Sequence, residues 1–149
     1  MNQLSAYRLY LLRAMYLLMA VGLAVDIWPL MMTASQHVEH MRGVVWSLLC
    51  GLSLMALLGL RYPVRMLPLL LFELTWKTIW VGVIGIPLWL EHRLNAGTAE
   101  TLRDCLVGVV LCLIVIPWGH VLANFVKAPG DPWRARRAAA PLLPTGEAV

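Results

Sequence analysis

The chain has 149 residues, 60% of them hydrophobic and only 13% charged, and its mean hydropathy of +0.74 excludes an ordinary soluble domain. Roughly 20 residues make one helical membrane crossing, so four crossings with short connections consume nearly the whole length and leave no room for a separate catalytic domain. The net charge of +4 does not point to nucleic acid, because the basic residues sit between apolar runs and in the tail, where they bear on membrane orientation.

The first apolar run extends from about residue 9 to 32, interrupted by Arg13 and Asp26, with Trp28 and Pro29 near its far end. Its length and its acidic residue argue for a retained spanning helix over a cleaved signal segment. A polar connection containing His37, Glu39, His40 and Arg42 leads to a second run, about 43–60, that carries no charge. Arg61, Tyr62, Pro63, Val64 and Arg65 then form a tight basic turn in which proline cannot continue the helix.

The third run, about 66–90, begins with Pro68 in a position suited to a first turn and meets Pro87 near its other end, where a kink or stop is expected. Asn95, Ala96, Gly97 and Thr98 give a turn signal, with a helix start at Thr98 or Thr101. The last run, about 104–126, is apolar until Pro117, Gly119 and His120. Residues 128–149 are rich in Pro, Gly, Ala and Arg and read as a disordered cytoplasmic tail. The expected fold is all-α, a transmembrane four-helix bundle over 1–127.

With the N-terminus inside, the inner side holds Arg8, Arg13, Arg61, Arg65, Lys127, Arg134, Arg136 and Arg137, and the outer loops hold Arg42, Arg93 and Arg103. The excess on the inner side predicts that both termini are cytoplasmic. Trp28, Trp46, Trp89, Trp118 and Trp133 fall near predicted helix ends, as an interfacial belt would place them, while Trp76 and Trp80 do not. Gly51 with Gly59, and Gly82 with Gly85, mark expected points of close helix packing. Cys50, Cys105 and Cys112 are odd in number and form no CxxC, so no disulfide framework is expected.

Glu73 and Lys77 are the most informative residues, because each charge within hydrocarbon costs about 2.5–3.5 kcal/mol or more unless compensated. Their spacing of four puts them on one helical face, able to pair, with Trp76 and Trp80 along much the same stripe. Arg13 and His120 fall at comparable depth on the first and last helices, so a buried cluster of Arg13, Glu73, Lys77 and His120 is expected. Two readings stand beside each other: a proton relay, quinone-headgroup site or small-substrate pocket, and a structural ion pair that fixes helix packing.

On the outer side, His37 and His40 have i, i+3 spacing near Met31, Met32, Glu39 and Met41, with Glu91 and His92 on the other loop. Imidazoles suit copper or zinc and thioethers suit Cu(I). Solvated loop residues and plain apolar methionines explain the same pattern. Bis-histidine haem is not expected, since only His120 lies inside an apolar run.

The stretch from Leu60 through Arg61, Tyr62, Pro63 and Phe72 to Glu73, Trp76 and Lys77, with Ile116, Pro117 and Trp118 and the segment from Lys127 to Trp133, resembles a group of small bacterial inner-membrane proteins that brings no assigned activity. In layout alone, with Gly59-Leu60-Arg61 ending the second helix and a third following at once, the chain is also similar to the DoxX-like four-helix membrane family. That likeness implies a link to quinone-dependent or thiol redox systems and transfers no site residue. The expected function is therefore an accessory, scaffold or assembly subunit of the bacterial inner membrane, bound to lipid and to a membrane-protein partner or to itself, without a cofactor. The alternative is a small transporter or quinone- or redox-linked protein using Glu73, Lys77 and His120.

Overall fold

The computed structural model describes residues 5–33 and 38–129. His37, Trp133, Arg134, Arg136 and Arg137, and the tail from residue 130, lie outside the described residues. Everything regular among the described residues is helical. Three helices, Ala6–Met32, His40–Arg61 and Leu67–Leu90, are each long and apolar enough to cross a membrane; a fourth candidate is the pair Ala96–Val115 and Trp118–Val126, bent by 73°. We call these helices 1, 2 and 3, helix 4 (Ala96–Val115) and the C-terminal arm (Trp118–Val126).

Local chemistry sets the ends and the breaks. Helix 4 begins at Ala96 because Asn95 caps it: its Oδ1 accepts from the backbone N–H of Thr98 at 2.8 Å and from the Thr98 hydroxyl at 2.8 Å. The start therefore lies before Thr98 and well before residue 104. Helix 3 closes with His92 in the left-handed region, φ 54°. There the His92 N–H donates to Trp89 O and the Arg93 N–H to Leu88 O, the pairing of a Schellman motif.

Pro87 does not end helix 3. It is preceded by a π turn over Val81–Gly85, in which the Ile86 N–H reaches back to Val81 O. A proline ring crowds the carbonyl four residues earlier and supplies no N–H, and one widened turn relieves both problems. Pro117 acts differently. Ile116 precedes it in extended conformation, φ −63° and ψ 123°, as a residue before proline prefers, and helix 4 stops there. The run that reads as one straight segment over 104–126 is thus two pieces at 73°.

Helix 1 packs along helix 2 and helix 3 along helix 4, and the two hairpins meet where helix 1 touches helix 4. The shared core lies toward one end: Leu12, Met15, Tyr16, Met19 and Ala20 of helix 1 meet Leu52 and Ala56, Leu67 and Leu70, Cys112, Val115 and Ile116, and Val121 of the arm. Helix 1 buries nothing beyond Ala20. Gly59 and Gly85 are close-packing points. A Cβ at Gly59 would strike the Tyr16 ring, and one at Gly85 would lie 2.6 Å from Leu102 Cδ1. Gly51 and Gly82 meet nothing within 4 Å, so they do not serve that purpose.

Large apolar side chains such as Leu18, Val25, Leu48, Ile79, Val83 and Ile114 point outward. The hydroxyls of Ser47, Thr75 and Thr78 each donate to the carbonyl one turn back in their own helix, at 2.9, 2.7 and 2.7 Å. That is how hydroxyls are satisfied where no water is at hand.

Candidate functional site

Glu73 and Lys77 come together as their spacing requires. Lys77 Nζ lies 3.2 Å from Glu73 Oε1, and the two side chains are 15% and 6% exposed, lysine first. The other carboxylate oxygen accepts from the Trp76 indole N–H at 2.7 Å. Lys77 Nζ also sits 5.2 Å from the centre of the Trp76 ring, within range of a cation–π contact. One helical turn therefore supplies a counter-charge, a hydrogen-bond donor and an aromatic face. No buried side-chain nitrogen or oxygen among the described residues lacks a partner.

Helix 4 closes the site. A Cβ on Gly108 would stand 2.8 Å from Lys77 Nζ and 2.9 Å from its Cδ, so the lysine stem lies directly over this glycine. Cys105 and Cys112 are buried, and their spacing of three and four from Gly108 places all three on one helical face. Small residues on that face let helices 3 and 4 approach closely enough to bury an ion pair between them. Sequence reasoning does not pick out Cys105, Gly108 and Cys112 as neighbours of the pair. The signal for them is present as a Cys, Gly, Cys stripe among the large apolar residues of 106–115.

The other two residues expected in the cluster form no ion pair with Glu73 among the described residues. Arg13 is exposed and its Nε donates to Leu60 O at 3.3 Å, serving the C-terminal carbonyls of helix 2. Arg13 thus lies near the end of helix 2, at the edge of the stripe that runs through Leu12, Met15, Tyr16 and Met19. His120 lies on the arm, beyond the bend at Pro117. It is half-buried, and among the described residues it forms no ion pair with Glu73. On helix 1 the fully buried polar side chain is Tyr16, whose hydroxyl donates to Pro63 O at 3.1 Å.

On the opposite side, His40 is the exposed first residue of helix 2, and His92 is exposed at the end of helix 3, where its backbone forms the turn described above. His37 lies outside the described residues. No group of three His, Cys, Asp or Glu among the described residues is placed to hold a metal ion. A shallow cavity of about 460 Å³ beside His40 is lined mainly by apolar atoms of Met31, Val44 and Trp46.

No protein-family model matches the chain, and neither does any curated protein or solved structure.

Proposed function

We propose that this is a small multi-pass protein of the bacterial inner membrane, a four-helix bundle with both termini cytoplasmic, that serves as an accessory or assembly subunit for another membrane protein or for copies of itself. The observation that carries this reading is the self-sufficiency of its buried charges. Glu73, Lys77 and Trp76 pair with one another within a single turn, so the buried carboxylate has its counter-charge and its hydrogen-bond donor without a ligand. A buried pair of this kind restricts which faces of helices 3 and 4 can meet, and its worth lies more in that restriction than in net stability. The outward surface of the long helices is apolar, suited to lipid and to other membrane helices.

The transporter or quinone-linked alternative needs Glu73, Lys77 and His120 to act together. His120 lies past the Pro117 bend and forms no ion pair with Glu73 among the described residues, which gives that reading no support. The test is gentle solubilisation of the tagged chain, followed by size-exclusion chromatography, mass determination and organic extraction. The accessory reading expects a complex of fixed stoichiometry and no extractable quinone. A monomer carrying a quinone that is lost in Glu73→Gln with Lys77→Met contradicts it.

A further inference from the structure

We propose that the C-terminal arm, Trp118–Val126, does not complete the fourth crossing but lies along the inner leaflet as an interfacial anchor, with the neighbouring basic residues taking anionic phospholipid headgroups. The inference rests on the membrane-spanning reading and adds to it a place for the arm and a lipid class.

The bend gives the first argument. Nine residues of straight helix would advance about 13 Å, but at 73° they add only about 4 Å along the axis of helix 4. The arm therefore contributes little to crossing a core of about 30 Å. Helix 4 has 20 residues, about 30 Å of length, of which the part from Cys105 to Val115, about 16 Å, carries no charge. Its Arg103 and Asp104 are exposed and paired with each other at 3.1 Å in the half nearer the outer end, where the pairing neutralises them and the long arginine stem reaches toward the interface. The angle falls short of a right angle by less than the average tilt of a membrane helix, about 20°. An upright helix 4 thus places the arm close to the plane of the bilayer.

The pattern of the arm gives the second argument. Trp118, Leu122 and Val126 recur every four residues and are exposed; His120 and Asn124 recur every four on the opposite side, and Lys127 follows. That division is what a helix lying at a membrane surface needs. Val121 is buried in the core that also holds Leu12 and Leu67, so the arm is fastened at the end where helix 1 begins and helix 3 starts.

Charge gives the third. At this same end Arg8, Arg61, Arg65 and Lys127 are exposed, and none of the ion pairs among the described residues uses them. The guanidinium groups of Arg61 and Arg65 converge on the Tyr62 ring, at 5.6 and 5.9 Å from its centre. Two cations gathered on one ring without a carboxylate suit a phosphodiester, and the inner leaflet is rich in anionic lipid.

The test uses the full chain in vesicles of phosphatidylcholine containing phosphatidylglycerol, with nitroxide labels introduced one at a time at Leu122, Ala123, Asn124, Phe125 and Val126, and a depth control at Ile79. Depth is read from collisions with oxygen and with an aqueous nickel complex. An interfacial arm gives a depth that oscillates with the helical period about the headgroup level, deepest at Leu122 and Val126 and shallowest at Asn124. A depth that increases steadily by about 1.5 Å per residue toward Pro117 means a broken span and overturns the proposal. So does uniform exposure of the arm to water while Ile79 remains deep. Water at Ile79 itself overturns the membrane reading and the arm with it. In the same vesicles, Arg61→Gln with Arg65→Gln lowers the preference for spin-labelled phosphatidylglycerol over phosphatidylcholine by about fivefold per arginine. An unchanged preference refutes the headgroup assignment.

Discussion

Removing one partner of the Glu73–Lys77 pair has a consequence that removing both does not. Lys77 lies about ten residues into helix 3, or about 15 Å along its axis, near the middle of a core of about 30 Å. In Glu73→Gln the ammonium keeps its place over Gly108 and beside Trp76 but loses the carboxylate 3.2 Å away. An uncompensated buried charge of this kind costs about 3–5 kcal/mol, whereas replacing both partners by neutral groups of similar size is near neutral or stabilising. The introduced side-chain amide still offers an oxygen to the Trp76 N–H, so the double variant Glu73→Gln with Lys77→Met leaves that donor satisfied. For a chain of this size each kcal/mol moves the midpoint by about 2–4 °C. We expect Glu73→Gln to melt about 10 °C lower than the parent and the double variant within about 3 °C of it.

The buried thiols provide the assay. Cys105 and Cys112 flank the pair and are inaccessible in the folded state, so a dye that fluoresces on reaction with thiols reports unfolding in detergent. Cys50, partly exposed, is replaced by Ser to remove its background. The reasoning fails if the single variant melts with the parent, or if the double variant loses the sum of the two single losses, since additivity means the two groups do not interact.

Four further outcomes follow from local geometry. Gly59→Ala places a methyl in the buried Tyr16 ring, and overpacking of about 1–3 kcal/mol outweighs the helix propensity gained, so the thiol-dye midpoint falls. At Gly108 the obstruction is the mobile end of Lys77: Gly108→Ala melts near the parent, while Gly108→Leu separates helices 3 and 4 and speeds Cys105 labelling in the native state. Asn95→Ala removes the cap of helix 4 and costs about 1 kcal/mol, seen as faster amide exchange at Thr98. His92→Gly relieves a left-handed residue, φ 54°, and raises stability by up to about 1 kcal/mol; a loss of stability instead would show that the imidazole has a partner.

The apolar runs and the i, i+4 placement of Glu73 and Lys77 are legible in the sequence because both depend on helical period alone. Gly85 reads correctly as a close approach, since only a residue without Cβ admits Leu102 and Trp80 there. What the sequence does not carry is position across helices: Arg13 serves the end of helix 2 and His120 lies past the Pro117 bend, each held there by packing partners that the sequence does not name. Proline is ambiguous for a related reason. Pro87 is absorbed by a π turn, whereas Pro117 ends helix 4, and the difference lies in whether the preceding residue stays helical, as Ile86 does, or turns extended, as Ile116 does. Gly108 passes unnoticed because its purpose is to admit Lys77 from another helix.

The account stands on lipid surrounding the outward faces of the helices. Its most direct test is the reactivity of Phe72→Cys and Ile79→Cys, two exposed positions on helix 3, toward a membrane-impermeant maleimide in native membranes, in a chain whose own three cysteines are replaced. The account predicts no labelling at either position from either side until the protein is denatured, with Arg93→Cys in the loop labelled at once. Labelling of Phe72→Cys and Ile79→Cys as fast as Arg93→Cys would contradict it.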